Sequence, residues 1–177
     1  SAVQKCEEWV IEHQEKSGDW AGIFPPMLNG CLALWLQGYK KETGALKIGL
    51  EAIERFAIDD ETGFRMQACE SPVWDTILGM IGILDCGHDK LDERLVKARS
   101  WIESKQITAD HGDWTVYNPG VKGGGWSFEY ENSWYPDVDD TAAVIIGMLK
   151  QNPVSRQSLV LRRAVEWVVS MQNPDGG

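Results

Sequence analysis

The chain has 177 residues, 43% of them hydrophobic, with nine tryptophans and a formal net charge of −10. That apolar content suits one substantial core, and the length is short for two ordinary domains. An acidic balance without any clustered run of Lys or Arg argues against a nucleic-acid backbone as partner, and no apolar stretch approaches the roughly 20 residues of a membrane-spanning helix.

Taken in chain order, helical periodicity recurs over 2–16, 27–38, 41–56, 73–86, 89–105, 138–150 and 155–171, separated by turns rich in Gly, Pro and Asp. Strand-type alternation is nearly absent, so the expected class is all-α. The four cysteines, Cys6, Cys31, Cys69 and Cys86, lack paired spacing, which signals neither a disulfide framework nor a zinc site and fits a reducing compartment. Cys86-Gly87-His88 reads as a helix-ending turn.

A motif repeats along these helices. Glu8-Trp9 leads to Gln14 and then Gly18-Asp19-Trp20; Trp101-Ile102 leads to Gln106 and then Gly112-Asp113-Trp114; Glu166-Trp167 leads to Gln172 and then Gly176-Gly177. Such self-similarity marks a helical array in which each unit buries its neighbour's face. A Gln in the last helical turn can bond backbone groups left free there, Gly allows a tight turn, and Trp closes it by packing. These segments are read as structural clamps, and Trp20 and Trp114 are given no chemistry. The third copy stops before its Trp, so residue 177 is not expected to be a natural domain end.

The chemistry-bearing segment is Pro136-Asp137-Val138-Asp139-Asp140-Thr141, running into the apolar Ala142-Ala143-Val144-Ile145-Ile146. Three carboxyls in four positions do not all ionise easily, so a proton tends to stay bound. Pro136 disfavours helix before it and Asp137 is a good N-cap, which sets the acids at a helix N-terminus, where the macrodipole favours the charged form. Asp137 as cap and Asp140 as first-turn acid, in a capping-box-like arrangement, need no chemistry. Asp139 is the residue that this leaves unexplained. Pro72-Val73-Trp74-Asp75-Thr76 resembles the same stretch, with Trp74 falling where Asp139 falls.

Together these segments resemble the squalene-hopene cyclases, bacterial class II triterpene cyclases. Gly124-Gly125-Trp126-Ser127-Phe128-Glu129, leading through Trp134-Tyr135-Pro136 into the acid motif, is similar to their acid motif and the loop before it. The Gln-to-Trp segments and Ser71-Pro72-Val73-Trp74-Asp75-Thr76 are further matches. The resemblance implies part of an α/α double-ring barrel, with residues 1–177 an incomplete segment of a larger two-domain cyclase. It implies Asp139 as the acid that protonates a terminal alkene of squalene, Asp137 and Asp140 holding and polarising it, and Trp74, Phe128 and Tyr135 lining the cavity. Trp126 and Trp134 are kept as core packing.

The resemblance further implies no cofactor and no metal, a hydrophobic polyprenyl substrate, and a parent docked as a peripheral or monotopic protein on the cytoplasmic side of the bacterial membrane, with a homodimer open to it. The family's histidine partner to the acid comes from a later segment, which His13, His88 and His111 do not occupy, so the chain alone is expected to be inactive. Val138 and Asp140 keep the bacterial form of the motif; relatives acting on oxidosqualene carry cysteine at the second central acid, which favours squalene. An alkene is a very weak base, so its acid must be sharpened by hydrogen bonds and a nearby cation, while aromatic faces attract the resulting carbocations without quenching them. The rivals are a class II cyclase of another polyprenyl chain, a prenyltransferase β-type subunit, for which the zinc ligands are lacking, and a non-catalytic helical-repeat protein.

Overall fold

The computed structural model describes residues 1–130 and 132–177, and the chain forms two compact units, Ser1–Glu70 and Ser71–Gly177. The first holds helices α1 (Ala2–Glu12), α2 (Phe24–Leu36) and α3 (Gly44–Arg55), followed by a hairpin of β1 (Ala57–Asp60) and β2 (Gly63–Met66). The second holds α4 (Pro72–Asp85), α5 (Glu93–Ser104), α6 (Val138–Gln151) and α7 (Leu159–Ser170), with 3-10 turns at Asp113–Val116 and Pro153–Gln157. Composition alone suggested one core, because it cannot tell how apolar residues are shared out. The chain builds two, one around Trp20, Met27, Leu34 and Phe56 and one around Ile77, Ile102, Trp126 and Met148.

Each of the seven helices expected from periodicity is present, with shifted ends. α2 begins three residues early because Pro25 and Pro26 sit in its first turn, where a missing N–H costs nothing. α5 begins late: Asp92 caps it by accepting from Arg94 N at 2.9 Å, while Asp89 closes a separate turn on Leu91 N at 2.9 Å. The seven helices bear out the all-α class, and the hairpin is a short addition to it that periodicity does not announce. Its pairing, Ala57 with Met66 through Asp60 with Gly63, leaves Glu61-Thr62 as a two-residue turn, in which Asp60 accepts from Thr62 N at 2.9 Å and pairs with Arg65 at 2.8 Å. Neither strand face is fully buried, so nothing selects the alternation by which strands are recognised.

The helices are of two kinds. α2 carries no charged residue and α4 only Asp75 and Asp85, whereas α1, α3, α5 and α7 each set a charged face against solvent. A helix apolar all round calls for cover on more than one side. α2 buries Met27, Gly30, Cys31 and Leu34 in its unit yet exposes Leu28, Leu32, Trp35 and Leu36. In the second unit α4 and α6 lie side by side, close enough that a side chain at Gly147 would collide with Ile77, while α5 packs on α4 and α7 on α6.

The repeated clamps are hydrogen-bonded in matching ways. Gln14 Nε2 donates to Gly18 O and Ala45 O, both at 2.9 Å, and Trp20 Nε1 donates to Val10 O at 2.8 Å. Gln106 Nε2 donates to Gly124 O and Val160 O, both at 2.8 Å, and Trp126 Nε1 donates to Ile102 O at 2.7 Å. The backbone agrees, Glu15 N donating to Asp19 O at 3.0 Å and Ile107 N to Gly125 O at 2.9 Å. The tryptophan of the second copy is therefore Trp126, and the sequence reading that gave Trp114 this place is corrected. Gly112-Asp113-Trp114 belongs to an excursion between the two halves of the clamp. The Gln amides also reach further than expected, tying their own turn to a carbonyl in the first turn of another helix, α3 or α7. In the third copy Gln172 Nε2 donates to Gly176 O at 2.9 Å and Asn173 N to Gly177 O at 2.7 Å.

Trp126 is fully buried and Trp114 only partly so. Truncating Trp126 to Ala is expected to destabilise the second unit by about 3–5 kcal/mol, and truncating Trp114 by about 1–2 kcal/mol. Denaturant titration of the two variants checks this, and equal losses would return the clamp to Trp114.

Candidate active site

The acid motif is built by the start of α6 and the strand-like stretch before it. Asp137 is the N-cap: its Oδ1 accepts from Asp140 N at 2.9 Å. The reciprocal half of a capping box is absent, because Asp137 N donates instead to Trp126 O at 2.9 Å. Thr141 completes the joint. Its Oγ1 donates to Asp137 O at 2.6 Å and accepts from Trp126 N at 3.0 Å, so the clamp tryptophan and the first turn of α6 are bonded through one hydroxyl. The chain passes so close here that a side chain at Gly125 would come within 3.0 Å of Thr141 Oγ1, Pro136 and Trp167.

Each of the three carboxyls offers an oxygen within 4.8 Å of the others. Asp140 is buried at 2% exposure, Asp137 is half-buried and Asp139 is exposed. Burial, then a hydrogen bond with Asp139 and repulsion from Asp140, pushes Asp137 well above the usual carboxylate range, against the Asp140 N–H that favours its charge. Burial chiefly, with the charge of Asp139, raises Asp140 against a lowering hydrogen bond from Asp137. Asp140 Oδ1 is buried with no hydrogen-bond partner among the described residues. Protons shared across this cluster relieve the crowding; the same oxygens are also of the kind a hard divalent cation accepts.

The approach to the motif is held by the excursion from the clamp. Asn132 Oδ1 accepts from Trp134 N and Tyr135 N, both at 3.2 Å. Asp113 N donates to Trp134 O at 3.2 Å, and Tyr135 Oη donates to Asp113 Oδ2 at 2.5 Å. Burial and this acidic partner keep the Tyr135 phenol protonated far above its ordinary range. The excursion is closed at its base by Asp110, which pairs with Lys122 at 2.7 Å and accepts from Gly123 N at 3.0 Å. Trp114 meets Trp167 edge to face at 6.2 Å.

Of the residues singled out from sequence, the structure brings Asp137, Asp139 and Asp140 together. Trp74 and Phe128 are half-buried, and Tyr135 is 40% exposed. Trp74 is the third residue of α4, while Asp139 is the second of α6, so the aligned pair differs by one position when counted from the helix start. Thr141, Gly125 and Asp113 were not singled out. Thr141 lies inside the motif and could have been found as a first-turn hydroxyl; Asp113 had no local signal.

Because Asp137 and Asp140 are raised on folding, the folded chain holds protons that the unfolded chain releases above about pH 4. Their contribution to stability is fully present below that value and is lost as pH rises through the raised range. Asp137→Asn keeps a capping oxygen and removes one ionisation. Its thermal midpoint is expected to fall less than that of the unsubstituted chain between about pH 4 and about pH 8; parallel curves would show that Asp137 is not held protonated.

The model of the squalene-hopene cyclase C-terminal domain matches residues 70–177 and that of the N-terminal domain residues 1–62. Over 99% of its length the chain is 48% identical to a squalene hopane cyclase of Aspergillus fumigatus and 44% to an enfumafungin synthase of Hormonema carpetanum. It is 36% identical over its whole length to the squalene–hopene cyclase of Alicyclobacillus acidocaldarius. The chain spans 24%, 13% and 28% of those three proteins. Its helices are consistent with part of the α/α barrel that the resemblance implies, and the chain belongs to the squalene-hopene cyclase family.

Proposed function

We propose that this chain carries the acid-bearing part of a class II triterpene cyclase that converts squalene to hopene or hopanol, with Asp139 as the proton donor. The observation that carries the reading is the convergence of three carboxyls at the start of α6, two of them raised by burial so that protons remain in the cluster. Asp139 is the exposed member, reachable by an alkene, and it shares a hydrogen bond with Asp137. In the first step the O–H bond of Asp139 breaks and its proton goes to the terminal carbon of the alkene. The π pair forms the new C–H bond, leaving a tertiary cation on the neighbouring carbon and a carboxylate on Asp139. Internal alkenes then attack in turn, and the last cation either loses a proton to give the alkene or takes up water and then loses a proton to give the alcohol.

The remaining residues support this sequence. Asp137, raised by burial and hydrogen-bonded to Asp139 and Asp140, keeps in the cluster the protons that replenish the acid. The unpartnered Asp140 Oδ1 suits a donor from elsewhere in the full-length protein, as the implied histidine would be. Trp74, Phe128 and Tyr135 supply aromatic faces, each attracting a cation by roughly 0.5–2 kcal/mol. A water-poor cavity delays capture of the cation until the rings are closed. The insoluble substrate suits a full-length protein docked on a membrane. Among relatives at 33–48% identity are an enfumafungin synthase and a dammaradiene synthase, which favours a second reading in which the same acid starts a different cyclisation.

In a full-length cyclase carrying this segment, Asp139→Asn is expected to lower squalene turnover by a factor of about a hundred or more while leaving the fold intact. Product analysis by mass spectrometry beside circular dichroism checks it, and retained cyclisation in the folded variant would sink the assignment. Treatment of the same enzyme with EDTA is expected to leave the rate within about twofold; loss of activity restored by a divalent ion would give the three carboxyls to a metal.

A further inference from the structure

Asp113 lies 24 positions before Asp137 in the chain, yet it touches both residues that lead into the acid motif. Its backbone N–H holds Trp134 O at 3.2 Å and its carboxylate receives the Tyr135 hydroxyl at 2.5 Å. From Tyr135 only Pro136 intervenes before Asp137, whose N–H is fixed on Trp126 O at 2.9 Å. Proline has a single φ setting, so the orientation given to Tyr135 passes to the cap with little slack. Asn132 Oδ1 holds the same two residues through Trp134 N and Tyr135 N. The far side of Asp113 is anchored as well, since Trp114 packs on Trp167 and Asn118 Nδ2 donates to Met171 Sδ at 3.6 Å.

We propose that Asp113 is a positioning residue of the initiating acid, fixing through Tyr135 and Trp134 the turn that sets the carboxyls at the start of α6. The excursion that separates Gln106 from Gly124 is then a brace, and it is what the second clamp has and the first lacks. The Tyr135 phenol, its proton committed to Asp113, offers the site an electron-rich ring and no competing base. This rests on the reading of Asp139 as proton donor.

The test uses full-length cyclase carrying this segment, with Asp113→Ala, Asp113→Asn, Tyr135→Phe and the double variant Asp113→Ala/Tyr135→Phe. Misplacing a reacting group by a fraction of an ångström costs rate rather than binding, so kcat is expected to fall about tenfold in Asp113→Ala with KM within about twofold. Asp113→Asn keeps an acceptor for the phenol and is expected to recover most of the rate. Tyr135→Phe should match Asp113→Ala, and the double variant should be no slower than either, because both remove the same bond. Unchanged kcat in Asp113→Ala would overturn the proposal, as would additive losses in the double variant or a loss matched by the unfolded fraction at the assay temperature. Asp139→Asn, run beside them, separates the two readings: if it remains active the donor assignment falls, and if it is inactive while Asp113→Ala is fully active only the brace falls.

Discussion

The hydroxyl of Thr141 is the point on which the second unit turns. It receives the N–H of Trp126 and gives its own proton to the carbonyl of Asp137, so the closing residue of a structural clamp and the cap of a functional helix share one atom. Trp126 is itself fixed through Ile102 at the end of α5, and Gln106 ties the same turn to the start of α7. The end of α5 and the start of α7 are thus tied, through the turn at Trp126, to the first turn of α6. A site built on such a joint has less freedom than a loop, which is what the proposed proton delivery over a short distance demands.

Two opposed electrostatic effects meet at that turn. The free N–H groups of α6 favour negative charge, while burial and mutual repulsion disfavour it. The opposition is resolved unevenly by depth. Asp137 and Asp140 lie on the lower-dielectric side, where burial raises both above the usual carboxylate range, and Asp139 stands outward. Sequence shows three similar acids; only the fold separates their environments.

Much of the architecture was legible beforehand for physical reasons. Helices announce themselves because one face is apolar at a 3.6-residue period, and Asp137 announced itself as a cap because Pro136 stops helix before it. The acid cluster was legible for the same reason, being contiguous. The hairpin was hidden because its strands bury no continuous face. The clamp tryptophan was misread because Gly112-Asp113-Trp114 mimics Gly18-Asp19-Trp20 locally, while the true partner, Trp126, is set apart by an excursion whose length no local pattern encodes. Asp113 was invisible for a related reason: its worth lies in contacts across more than twenty residues. The aromatic residues Trp74, Phe128 and Tyr135 were named by resemblance, since side-chain direction is decided by packing that a linear pattern does not hold.

The bare apolar flank of α2 has a colloidal consequence. Leu28, Leu32, Trp35 and Leu36 stand on one helix with no charge among its thirteen residues to interrupt them. Water treats such a strip as adhesive, and two copies meeting along it hide the same area twice. The net charge of −10 opposes that encounter at long range but is screened within about 8 Å at physiological salt. Higher ionic strength is therefore expected to favour association of the isolated chain along this flank.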